Sequence, residues 1–163
     1  MIRAATPQDA PWIAAMWNAV IADSLVTFTT VEKTQAEVQT LIETGVVLVL
    51  PDAAGFACYG PFRPGPGYAA TVEVSIYLTP AARGAGQGGK LLQSLLDLAA
   101  ADGKRVAVAA ISGANPRAAS FFANQGFDHV GHLPNVGHKA GQWLDLILMQ
   151  KALNAQDNPD PHG

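Results

Sequence analysis

Along the chain, apolar residues recur with a helical period in some stretches and a strand period in others, and the changes of period outline the elements. Residues 2–5 (Ile-Arg-Ala-Ala) form a short strand candidate. Thr6-Pro7-Gln8-Asp9 then reads as a helix start: Thr6 can cap, Pro7 suits the first helical position, and Asp9 can reach back to the cap amide. Ile13, Met16, Trp17, Val20 and Ile21 follow at spacings of three and four, which makes one helix face apolar. A second capping box, Thr34 to Glu37, opens a helix that turns Val38, Leu41 and Ile42 inward and stops at Gly45. The connection over 24–30, with Phe28 in it, is irregular.

Strand patterns take over at 46–50, 55–60 and 70–78, separated at 61–67 by a segment too rich in Pro and Gly to be regular. Pro80 closes the longest of them, because it has no amide to donate to a continuing ladder. A helix over 88–102 buries Leu91, Leu92, Leu95, Leu98 and Ala99 and ends at Gly103. Residues 106–111 are continuously apolar, as expected of a strand covered on both faces. Asn115-Pro116 starts another helix, through Phe121 and Phe122 to Gly126, and two strands flank 132–142, the last over 143–149. These elements make one domain over 1–153, followed by a polar, mobile tail at 154–163.

Composition narrows the class. With 49% apolar and 14% charged residues, a chain of 163 can close a real core. The net charge of −3, with no Lys/Arg run longer than two, leaves no basic face for nucleic acid. Apolar runs are strand-sized, which argues against a membrane span, and Asp9 and Pro11 interrupt any leader-like pattern. Cys58 is the single cysteine, so no internal disulfide forms, which fits a soluble cytoplasmic protein. Cys58 also lies in an apolar strand and reads as packing rather than as a nucleophile. His129, His132, His138 and His162 lack ligand spacing, so no metal is expected.

The candidate chemistry centres on Arg83-Gly84-Ala85-Gly86-Gln87-Gly88-Gly89, between a predicted strand and a predicted helix. Glycines let successive amides point into one concavity, and a helix N-terminus favours an anion there. Three anions suit such a loop. A dinucleotide site wants an acid about twenty residues on, where the chain reads Ala109-Ala110-Ile111-Ser112. A P-loop wants Ser or Thr after its Lys, where Leu91 follows Lys90. The third pattern, Gln/Arg-x-x-Gly-x-Gly/Ala, is filled at every fixed position by Arg83 to Gly88.

That loop, the Leu-rich helix after it, the buried strand, Asn115 and Gln125-Gly126-Phe127 together resemble the GNAT superfamily of N-acetyltransferases from about Ile2 to Leu153. Thr27-Phe28, Tyr59-Gly60-Pro61-Phe62-Arg63, Gly67-Tyr68, Thr71-Val72-Glu73, Ser75-Ile76-Tyr77, Gly137, Lys139 and Trp143-Leu144-Asp145-Leu146 are similar to its phosphinothricin and methionine sulfoximine acetyltransferase branch. The resemblance implies an α/β fold: a mixed, curved sheet of about six or seven strands, splayed in the middle, with helices on both faces. It implies direct acetyl transfer from acetyl-CoA to the amine of a small amino-acid-like substrate, in a homodimer built on the apolar final strands. Glu73 would be the general base. Main-chain groups of Ile76, Tyr77 and Leu78 would meet the pantetheine, Gly84, Ala85, Gly86, Gln87, Gly88 and Gly89 would hold the pyrophosphate, and Arg83 would add charge. Asn115 would bond the pantetheine arm, although a plain helix cap explains it nearly as well. Arg63 and Tyr68 would bind the acceptor, with Phe28 as an apolar wall.

Several positions depart from the family pattern. Phe122 stands where relatives carry Tyr or His near the departing sulfur, and Phe offers no proton. Val74 replaces a His that follows the base, and this is expected to make the base's surroundings drier. A second Arg of the acceptor loop is also missing, with Gly65 and Ala69 at the plausible positions. A different amine acceptor, or a non-catalytic acyl-CoA sensor, remains open at this point.

Overall fold

The computed structural model describes residues 1–154, so all but Asn154 of the tail expected at 154–163 lies outside the described residues. Strand β1 (Arg3–Ala4) leads through a 3-10 turn at Pro7–Asp9 into helix α1 (Ala10–Asp23). The turn is fixed by Asp9, whose carboxylate accepts from the Thr6 amide at 2.8 Å, from Arg3 at 2.7 and 3.0 Å and from Trp12 Nε1 at 2.9 Å. Helix α2 (Gln35–Thr44) starts where Thr34 Oγ1 accepts the Glu37 amide, and ends as the Gly45 amide bonds Leu41.

The remaining elements are β2 (Val46–Val49), β3 (Gly55–Pro61), β4 (Thr71–Leu78), α3 (Gln87–Ala101), β5 (Val106–Ser112), α4 (Pro116–Asn124), β6 (Asp128–Lys139) and β7 (Gln142–Ala152). Among the described residues they form one seven-stranded sheet in the order β1-β2-β3-β4-β5-β7-β6. Every neighbouring pair is antiparallel except β4 and β5, which α3 links as a parallel crossover.

Strand alternation divides the core in two. Val47, Val49, Phe56 and Cys58 face α1 and α2, while Leu48, Leu50, Ala57, Tyr59, Val72 and Val74 face α3 and α4. Helices therefore cover both faces, as expected. Two details differ from the sequence reading. Leu98 is 45% exposed and Leu96 is buried instead, because the stripe Leu91-Leu92-Leu95-Leu96-Ala99 keeps the helical period and Leu98 falls outside it. The stretch 132–142 is strand for most of its length: β6 runs to Lys139, and a shift of register between Leu133 and Gly137 accommodates Pro134 and Asn135 (φ 55°).

The central pair positions everything else. β4 bonds β5 only at Thr71↔Val106, Val72↔Ala107 and Glu73↔Val108. Beyond Glu73 the two strands part, although β4 stays paired to β3 up to Leu78 and β5 to β7 up to Ser112. The sheet is split in the middle.

Candidate active site

Strand β4 carries one residue set to each side of the split sheet. Val72, Val74, Ile76 and Leu78 pack toward α3 and α4, whereas Glu73 and Ser75 line a cavity on the side of α1 and α2 and Tyr77 packs there. Tyr77 stacks between Trp17 at 5.7 Å and Phe56 at 5.2 Å, and burial pushes its hydroxyl up to about 12. Its side chain is thus core, leaving main-chain groups as what residues 76–78 offer at the gap. Val74 shows why a neighbour in a strand is a poor guide to environment. It is buried on the face opposite Glu73, so it does not surround the carboxylate as expected.

At the end of β4, Thr79 and a 3-10 turn at Pro80–Ala82 lead into the glycine loop. Gly84 (φ +84°) and Gly86 (φ +79°) adopt left-handed backbone, and Gly86 caps α3. A Cβ at either glycine would meet open space, and residues 83–87 are exposed. Gly88 is the tight point: a Cβ there would lie 2.8 Å from Leu78 Cδ1 and 3.3 Å from Phe121, so its missing side chain lets α3 start directly against the tip of β4. Arg83 turns back toward this tip, with Nη2 3.4 Å from the Leu78 carbonyl. The loop is therefore an open cradle of main chain at a helix N-terminus, the arrangement that suits a diphosphate. These residues fit the anionic end of acetyl-CoA.

Glu73 sits at the last rung before the strands part, half-buried in the wall of a cavity of about 320 Å³. Trp17, Lys33, Cys58 and Ser75 share that cavity. Burial pushes the Glu73 carboxyl above its ordinary value, and the charge of Arg63 draws it part of the way back. Cys58 is buried, and burial pushes its thiol up to about 12, so almost none of it is thiolate near neutral pH.

The expected acceptor residues lie farther out. Arg63 is exposed, with its guanidinium 5.2 Å from the Phe62 ring, and Tyr68 stands edge-on to the same ring at 6.0 Å with 46% of its surface exposed. Neither lines the Glu73 cavity. Phe28 does not line it either: its ring covers Gly137, where a Cβ would come within 2.5 Å of it. Lys139, buried, locks this contact by donating to the Thr27 carbonyl at 2.8 Å and to Thr27 Oγ1 at 3.2 Å. Asn115 Oδ1 accepts the Ala118 amide at 3.3 Å, so the cap is real and its Nδ2 group stays available. Phe122 is buried edge-on to Phe121 and Phe127, a core residue with nothing to donate.

Lys33 was missed by the sequence reading. It ends the irregular connection before α2, and its main chain is clamped from both sides by Asn18 of α1: Nδ2 donates to the Lys33 carbonyl at 2.8 Å and Oδ1 accepts the Lys33 amide at 2.7 Å. Nothing local announces a bond across fifteen residues. A lone Lys before a capping box reads as solvated surface.

A split mixed sheet with an open glycine cradle at one end of the gap and a desolvated carboxylate at the other defines an acyl-transfer scaffold. The acetyltransferase (GNAT) family profile matches residues 16–127, and the chain belongs to that family. It is an acetyl-CoA-dependent N-acetyltransferase. The chain is 37% identical over 162 residues to L-methionine sulfoximine/L-methionine sulfone acetyltransferase of Pseudomonas aeruginosa, with 94% of each covered. It is 37% identical over 156 residues to an L-amino acid N-acyltransferase of Escherichia coli, with 93% of this chain and 87% of that one covered. A phosphinothricin acetyltransferase from Sinorhizobium meliloti, solved in complex with acetyl-CoA, superposes with a TM-score of 0.87 at 31% identity, covering 94% of this chain and 88% of that one.

Proposed function

We propose that the acceptor is a small amino acid of the methionine sulfoximine, methionine sulfone or phosphinothricin type, acetylated directly on its α-amine with Glu73 as general base. One observation carries this: β4 bears a desolvated carboxylate where the sheet begins to split and runs from there to the glycine cradle. The names of the relatives support the acceptor class.

Acetyl-CoA, when bound, supplies the acetyl group as an activated thioester. The residues of this chain do the rest. Gly84 to Gly89 hold the diphosphate on main-chain amides with Arg83 beside it, while main-chain groups of residues 76–78 and the Asn115 amide position the pantetheine arm. Glu73 takes the proton that the acceptor ammonium must lose before its nitrogen can attack, and burial, by raising the carboxyl's affinity for a proton, favours that transfer. No side chain need protonate the departing thiolate, whose conjugate acid has a pKa of about 8.5, so Phe122 is compatible with turnover. The buried, protonated Cys58 argues against an acetyl-enzyme relay. Arg63 and Tyr68 form an exposed rim outside the cavity, and Phe28 fixes the connection that leads to Lys33 in its wall.

The reading includes a cytoplasmic homodimer. Val130, Leu133, Val136 and Trp143 leave 53%, 37%, 54% and 67% of their surfaces exposed on the β6–β7 hairpin at the sheet edge, apolar surface for a second copy to cover. The deciding experiment is CoA release over a panel of amines that includes phosphinothricin, methionine sulfoximine, methionine sulfone and a polyamine. Release with the amino acids and not the polyamine is the expected result. Acetyl-CoA binding without release for any amine would instead indicate a sensor.

A further inference from the structure

The cavity beside Glu73 contains a cation that nothing described so far uses. Lys33 lines it together with Glu73, Ser75 and Cys58, and its ammonium stands 4.8 Å from the centroid of the Trp17 ring. Among the described residues this ammonium has no ion pair and donates no side-chain hydrogen bond. Surface lysines are usually mobile, but this one is half-buried and its backbone is held at both polar groups by Asn18. The aromatic face of Trp17 supports the stem and attracts the ammonium. The buried Cys58 thiol, raised first by desolvation, feels opposite influences from Lys33 and Glu73, which places both charges around one space. Glu37 also reaches the cavity, at its exposed rim, where its carboxylate contacts the Thr34 hydroxyl at 3.2 Å.

We infer that Lys33 is the specificity-determining anchor for the acceptor's α-carboxylate, so that the cavity reads an α-amino acid by its two charged ends: carboxylate on Lys33, amine toward Glu73. A cation and a carboxylate facing one small space match a zwitterion and mismatch both a polyamine and an amino-acid amide. Arg63, exposed on the outer loop, is left for the polar end of the acceptor side chain. The inference rests on the amino-acid reading above and names how that site selects its substrate class.

The test compares L-methionine sulfone with its carboxamide, as acceptors or, where the carboxamide is not turned over, as a competitive inhibitor. Wild-type enzyme must first release CoA with the free acid; no release with any amino acid of the panel overturns the acceptor reading and this inference with it. In Lys33→Met, which keeps an apolar stem on Trp17, KM for the free acid should rise about 10- to 100-fold, the loss expected of a charge-assisted hydrogen bond. Affinity for the carboxamide, KM for acetyl-CoA and kcat should change little, and Lys33→Arg should recover most of the lost affinity. An equal loss for acid and carboxamide, or no loss for either, would show that Lys33 only packs on Trp17.

Discussion

Gly86→Ala separates the chemistry of the cradle from its backbone strain, because the protein contains its own control. Gly86 (φ +79°), the N-cap of α3, and Gly103 (φ +83°), just past its C-cap Asp102, have nearly the same left-handed φ, and a Cβ at either position would meet nothing within 4 Å. Any effect on folding therefore comes from conformation alone, about 1–2 kcal/mol for an L-residue in that region. For a chain of this size the corresponding drop in Tm is about 2–8 °C, and it should be similar for Gly86→Ala and Gly103→Ala. The functional effect should differ. If residues 83–89 hold the diphosphate, a loop that relaxes out of the left-handed region loses a similar free energy of binding, so KM for acetyl-CoA should rise about 5- to 30-fold in Gly86→Ala. It should stay near wild type in Gly103→Ala. Thermal melts and thiol-reagent detection of CoA measure both quantities. Equal KM values in the two variants, or a KM change at Gly103 alone, would refute the assignment of the cradle.

Three further outcomes follow from the same geometry. Glu73→Gln should fold with a Tm at or above wild type, since it removes a desolvated charge, and lose about 10²–10⁴-fold in turnover; because the proposed base must be deprotonated and burial raises its pKa, the acid limb of kcat/KM in the wild type should lie above the ordinary Glu range, and Arg63→Gln should move it higher still by removing the charge that lowers it. Asp9 is held well below the carboxylate range, first by its bonds to Arg3, so its contribution to stability is present above the unfolded value of about 3.9 and is lost as pH falls below it. Asp9→Asn should accordingly cost about 1–3 kcal/mol at neutral pH and flatten the acid side of a Tm-versus-pH curve, and an unchanged curve would contradict this. Cys58→Ala should keep most of the turnover, and intact mass spectrometry during turnover should find no acetylated protein; an acetyl adduct on wild type that the variant lacks would establish a covalent route.

The fold was legible because its signals are local. The capping pairs Thr6–Asp9 and Thr34–Glu37, Pro80 at a strand end, Asn115-Pro116 at a helix start and the glycine loop each act within a few residues, and the structure carries all of them. Seven strands and two-sided cover match the expectation. Leu98 was misplaced because several leucines in one helix obscure which stripe is continuous. The candidate site was harder to read. Glu73 was visible by resemblance, but its cavity is assembled by Trp17 and Lys33 from elements far along the chain, and the Asn18–Lys33 clamp exists only once α1 and the connection have packed. Phe28 was expected as an apolar wall for the acceptor, whereas its ring packs over Gly137, a contact between distant parts of the chain.

Three rungs at the middle of a seven-stranded sheet also have a mechanical meaning. The leaves β1–β4 and β5–β7–β6 meet through those rungs and through the leucine stripe of α3, which leans on both. Breathing motions should concentrate along this seam, and amides of β4 beyond Glu73 that face β5 should exchange with solvent faster than those bonded to β3. Any molecule lying in the seam and bonding its edges acts as a temporary eighth strand, so occupancy and rigidity of the sheet rise together.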